Sequence, residues 1–261
     1  ANSNILVEGG FVNCTGRFGV AAASNNIYYT QTAGTITVNT IGHTSTTLAG
    51  FDLGISSFSN INISGGTIVV QTNSTAASGP RDYRMQAGQG GNSITGGALQ
   101  IGNASSGAAK TFNIMGATGN LIITNTSANH TCVFGTPGVV SNSSRNVTIQ
   151  TGTTLNIGAN IFIIAGATLT NDGILNGSAT GARLFWSGTG VAQTYTGTGT
   201  VSPLLQSFEV DNALGLTIDP SVSNLEVARI ALFTGNITNA NKLTLGNGGT
   251  SSGTIQFGNT T

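Results

Sequence analysis

Residues 147–177, "VTIQTGTTLNIGANIFIIAGATLTNDGILNG", restrict the fold more than any other stretch of the chain. Apolar residues come in alternating pairs: Val147 and Ile149, Leu155 and Ile157, Ile161 and Ile163, then Leu169 and Ile174. Successive pairs start only a few positions apart, Val147, Leu155, Ile161, Leu169 and Ile174. Alternation with period two over such short runs is a strand signal, and neither this spacing nor the intervening glycines suit a helix. Sandwich strands recur at about 8–12 residues with hairpin signals between them, and these are closer. Three such strands and three tight bends make one coil of roughly 22–25 residues. The reading is an all-β chain, a right-handed parallel β-helix (solenoid) with coils of about that length.

Phenylalanine spacing points to the same period. Phe112, Phe134, Phe162, Phe185, Phe208, Phe233 and Phe257 recur at nearly even intervals, and every gap except the longer one from Phe134 to Phe162 matches that coil length. The mean gap follows from phenylalanine density alone, but the narrow spread does not. One ring per coil at a common station would form an interior stack at the ~4.8 Å strand spacing. That stack predicts that Phe185→Ala and Phe208→Ala each cost roughly 3–5 kcal/mol.

Composition fits a stack of coils. Gly numbers 39, Thr 39 and Asn 28, whereas charged residues are only 6% of the chain, against roughly 25% in ordinary soluble domains. Gly and Asn supply bends, Thr suits the outer face of a strand, and like charges stacked rung on rung would repel. Abundant patterned β-branched residues argue against disorder. Eight basic and eight acidic residues with no run of either sign leave nothing to neutralise a phosphate backbone, so no nucleic-acid partner is expected. No apolar run approaches the ~18 residues of a membrane span.

The chain reads as one domain over residues 1–261, a segment of a longer polypeptide, since it starts without Met and ends in mid-pattern. Residues 1–110 are less regular. Residues 74–93 read as a loop insertion thrown out from the stack, and they hold the densest polar cluster, Arg81, Asp82, Tyr83 and Arg84. Loops on rigid scaffolds carry binding groups, so this cluster is the candidate contact site.

Signals for chemistry are sparse. Gly249–Gly253 matches a nucleophile-elbow pattern, but both histidines precede it and a Gly/Ser/Thr-rich chain makes such matches cheaply. "GQGGNS" at 88–93 lacks the lysine of a phosphate cradle. His43 and His130 have no ligand at metal spacing, and Cys14 and Cys132 permit one disulfide without requiring it. Glu209 and Asp211 share a strand face, with Asp219 and Glu226 downstream, and paired carboxylates could bind calcium or work on sugars; three or more of these acids and the arginines converging in one cleft would favour a polysaccharide-binding or polysaccharide-cleaving protein, and scattered carboxylates would count against it. Thr alternations such as "TYTGTGT" raise ice binding, but no in-register series over many coils is expected. No catalytic residue, metal or cofactor is assigned.

Two phrases, "LTIDPSVSNLEVARIALFTGNITNANKLTLGNGG" and residues 147–177, resemble the repetitive β-helical stretches of very large bacterial surface proteins, the gliding and adhesion proteins exported by type IX secretion. The likeness covers most of residues 110–261. It implies an extracellular stalk or adhesin segment at the cell surface. Its partners would be flanking segments of the same polypeptide, other surface-protein chains, or glycans.

Overall fold

The computed structural model describes residues 2–20, 26–54, 60–75, 82–85, 93–135, 142–188, 190–246 and 253–258. It is an all-β parallel solenoid whose coils contribute strands to three faces. The second face is a ten-stranded sheet running from Phe11–Asn13 to Ile237–Thr238, and the third is a ten-stranded sheet from Phe18–Gly19 to Leu243–Leu245. The first face is split into four strands, Asn2–Val7 to Ser93–Ile94, and six strands, Asn142–Ser144 to Thr254–Phe257. Between them the chain passes directly from Thr111–Gly116 to Asn120–Ile123, and this face narrows to Ala117, which bridges Ser143. Ten rungs make about nine turns, a rod ~45 Å long at the usual strand spacing.

Register explains the alternation. On the second face Val12, Ile36, Ile68, Leu99, Leu121, Val147, Leu169, Tyr195 and Ile218 pair in succession. All but Val12 are buried. Sliding any coil by one residue would turn its apolar set outward, so burial of this column holds every rung in place.

Coil length is uneven. On the second face Phe11 pairs with Thr35, Thr35 with Thr67 and Thr67 with Ala98, and the last two of these steps are about a third longer than the first. From Ala98 to Ile237 every step on this face is shorter than those two. These later steps scatter on both sides of the expected coil of roughly 22–25 residues, and the first step, from Phe11 to Thr35, falls within it. The irregularity of residues 1–110 comes from longer coils, whose extra residues lie largely between the second and third faces.

Those longer coils close through backbone contact as well as side chains. At Gly116, φ is +94° and an added Cβ would collide with the Met85 carbonyl oxygen. Only glycine fits where one rung crosses so tightly over the one before.

The phenylalanine stack is corrected by the register. Phe112 pairs with Cys132, and Phe134 with Ile114, so these two occupy different columns of the third face. Phe162 and Phe208 share an interior column of the first face with Leu184 between them. Phe185 and Phe233 are half-buried on the outer side of that face. Phe257 sits in an interior column at the last described rung and is 73% exposed. Uneven coils make equal sequence spacing fall at unequal stations. Among the described residues a face-to-face stack is formed by Phe18, Phe51 and Tyr83, with ring centroids 5.3 and 5.6 Å apart, in the part of the chain that looked irregular.

Residues 74–93 are likewise more than an insertion. Tyr83–Met85 is a strand of the third face, with Tyr83 and Met85 buried.

Phe51 and Phe208 are fully buried, and replacing either with Ala is expected to cost roughly 3–5 kcal/mol. Phe257→Ala should stay within about 0.5 kcal/mol of the parent. Urea unfolding of the three variants checks the order.

Candidate functional site

Of the polar cluster expected to bind, Arg81 lies outside the described residues. The other three members are structural. Asp82 is buried and accepts backbone N–H bonds from Ser74 (2.5 Å) and Asn113 (2.7 Å), tying one long coil to the next. The Tyr83 hydroxyl donates to the Ala117 carbonyl at 2.8 Å. Arg84 donates from Nε and Nη2 to the fully buried Asp52, at 2.8 and 2.5 Å, and Asp52 also accepts the Ala49 N–H. These charges clamp the excursions between the second and third faces. Burial pushes the Asp82 carboxyl up to about 7, against the lowering effect of its two N–H donors.

The other candidate signals do not assemble either. Cys14 and Cys132 are both free. His130 is buried, accepts the Lys110 N–H at Nδ1 (3.3 Å) and meets Ser127 Oγ at Nε2 (3.1 Å). The His43 ring accepts the Ser45 N–H. Among the described residues no group of three or more His, Cys, Asp or Glu could hold a metal ion. Positions 249–252 of the elbow match and 88–92 of the Gly-rich run lie outside the described residues.

Thr alternation is more ordered than expected. On the outer side of the second face Thr148, Thr170 and Thr196 pair in register, as do Thr168, Thr194, Thr217 and Thr238. The first column is broken towards the N-terminus by Ile122, Gln100 and Val69. Among the described residues these two hydroxyl rows therefore cover three and four rungs.

A built site lies on the outer side of the six-stranded sheet. Strands Arg183–Trp186, Phe208–Asp211 and Arg229–Thr234 are successive rungs. Alternation turns Leu184, Trp186, Phe208 and Val210 into the core, so Arg183, Phe185, Glu209 and Asp211 face outward. Register sets Glu209 between Phe185 on one side and Ala231 on the other.

Glu209 is fully buried although it is on the outer side. Arg183 binds both its carboxylate oxygens, through Nε (2.7 Å) and Nη2, while Ser207 Oγ (2.7 Å) and Arg229 Nη1 (3.0 Å) donate to Oε1. Arg229 continues to Gln256 in the next rung. Burial alone would raise the Glu209 carboxyl; the bonds from Arg183 and Ser207 and the two guanidinium charges outweigh it and hold the group below the usual range.

Over this ion pair lies a half-open groove of about 460 Å³ lined by Arg183, Phe185, Asp211, Phe233 and Thr234. The Phe185 and Phe233 rings come from rungs separated by the one carrying Glu209, yet they meet edge to face at 6.2 Å. A β-bulge makes this possible. Val210 pairs with Leu232 but Asp211 pairs with Thr234, so Phe233 and Thr234 together oppose Asp211. Thr234 Oγ1 donates to Asp211 at 2.7 Å.

Of the four carboxylates singled out in the sequence, Glu209 and Asp211 come together here with Arg183 and Arg229. Asp219 and Glu226 lie elsewhere: Asp219 follows a strand of the second face, and Glu226 is on the third. Carboxylate-driven glycoside cleavage needs one acid holding a proton and two facing the substrate. Glu209, ionised and enclosed, meets neither condition. The sequence carried a signal for this cluster: opposite charges one coil apart, each close to an aromatic, in "RLFW", "FEVD" and "RIALF".

Comparison of the chain with protein-family models, with curated proteins and with solved structures returned no match.

Two titrations should oppose one another. Glu209 has a lowered folded-state pKa, so its contribution is complete above its ordinary 4.5 and fades as pH falls below that. Glu209→Gln is expected to cost on the order of 1–3 kcal/mol at neutral pH, a gap that narrows in acid. Asp82 has a raised pKa, so its contribution is complete below 3.8 and is lost as pH rises through about 7. Asp82→Asn should flatten the decline in Tm over that interval. Thermal melts of both variants across pH check the two signs.

Proposed function

We propose that the chain is a non-catalytic structural and adhesive module of an extracellular bacterial surface protein or filament. The supporting observation is where its rare charges lie. Asp52, Asp82 and Glu209 are buried and wholly engaged in holding coil to coil. Such an arrangement favours an extended, rigid rod over a reaction centre, and the resemblance of residues 110–261 to secreted gliding and adhesion proteins points to the cell surface.

The end rungs support partners along the axis. Phe11 is 85% exposed at the first rung, and Ile255 (53%) and Phe257 (73%) at the last described one. The outermost described strands also present edges that further rungs would cover. Flanking segments of the same polypeptide or other surface-protein chains are the proposed occupants.

An antibody raised against the chain should label intact cells of the source bacterium as strongly as lysed ones. Label that requires lysis would contradict the surface assignment.

A further inference from the structure

We infer that the groove over Glu209 is a binding site for a neutral saccharide, a site independent of whether the rod serves as a surface scaffold. Its size is about 460 Å³, within the range of roughly 300–1,000 Å³ typical of small-ligand sites. That volume admits one or two sugar rings.

The chemistry of the lining selects the ligand. A pyranose has an apolar C–H face and a rim of hydroxyls. Phe185 and Phe233, half-buried and edge to face, form an apolar corner against which the C–H face packs. Asp211 is exposed at the rim and accepts hydrogen bonds from hydroxyls. Arg183 uses Nε and Nη2 on Glu209, and its remaining nitrogen, Nη1, is available to donate to a neighbouring hydroxyl.

Charge narrows the choice further. Arg183 and Arg229 are balanced by Glu209 and Asp211, so the cluster has no net formal charge. The carboxylate that faces solvent is Asp211, which would repel an acidic polysaccharide. A neutral chain of hexoses fits.

The framework is also pre-organised. Glu209 fixes the Arg183 guanidinium from beneath, and the bulge holds Phe233 and Thr234 together against Asp211. Bulges recur where a side chain is re-aimed beside a site. Loss of mobility on binding is then small, which favours affinity.

Affinity electrophoresis of the intact chain tests this, in gels cast with neutral polysaccharides (a β-glucan, a mannan, a galactan) or acidic ones (alginate, polygalacturonate). Retardation is expected in at least one neutral gel, weakened at least tenfold in Kd by Phe233→Ala and by Asp211→Asn. Asp211→Asn removes no volume, and it decides the matter should Phe233→Ala lower the Tm. Mobility unchanged in every neutral gel, binding that Asp211→Asn retains, or retardation in acidic gels without any in a neutral gel would overturn the assignment.

Discussion

Burial of one continuous apolar column, from Ile36 through Tyr195 to Ile218, is the constraint on which the other features of the solenoid depend. Each member is covered by the member above and below, so no coil can bury its own side chains alone. A side chain buried in such a column contributes roughly 1.5–3 kcal/mol relative to exposure. The same mutual dependence shapes the wall: what is directed outward repeats at the strand spacing, and charges in that position would face one another. Thr and Asn fill the wall because they can be wetted and stacked without repulsion.

Where charges do occur, the structure pairs them across coils. Arg84 reaches Asp52 from the next rung of the third face. Arg183 and Arg229 approach Glu209 from the rungs on either side. Both carboxylates are fully buried, so removal of a partner would leave a charge stranded in a low-dielectric wall. The first pair locks the long excursions of the N-terminal coils; the second forms the floor of the groove between Phe185 and Phe233.

Fold class was legible because strand alternation and coil length are local properties, written in residues 147–177 as pairs such as Leu155 and Ile157. Station within a coil was not legible, because it depends on the summed length of every bend. Within the third face alone, the step from Phe18 to Phe51 takes more than half as much chain again as the step from Thr111 to Thr131. Phe162 and Phe208 therefore share a column while Phe112 and Phe134 do not. The misplacement of Asp82 and Arg84 has the same origin. A strand as short as Tyr83–Met85 shows one alternation and leaves no periodic signal among glycines and serines. Glu209 and Asp211 were recognisable as a same-face pair, but Phe233 enters the groove through a bulge, which the order of residues does not announce.

The account rests on rungs that rise regularly regardless of the length of chain between them. Thr37, Val69, Gln100, Ile122, Thr148, Thr170 and Thr196 form one outer column. Spin labels at Thr37 paired with Thr148, Thr170 or Thr196 should give backbone separations of about 19, 24 and 29 Å by pulsed electron resonance, one ~4.8 Å step per rung. Distances that rise by one constant step along the column would uphold the in-register stack. Equal distances, or distances out of order along the column, would contradict it.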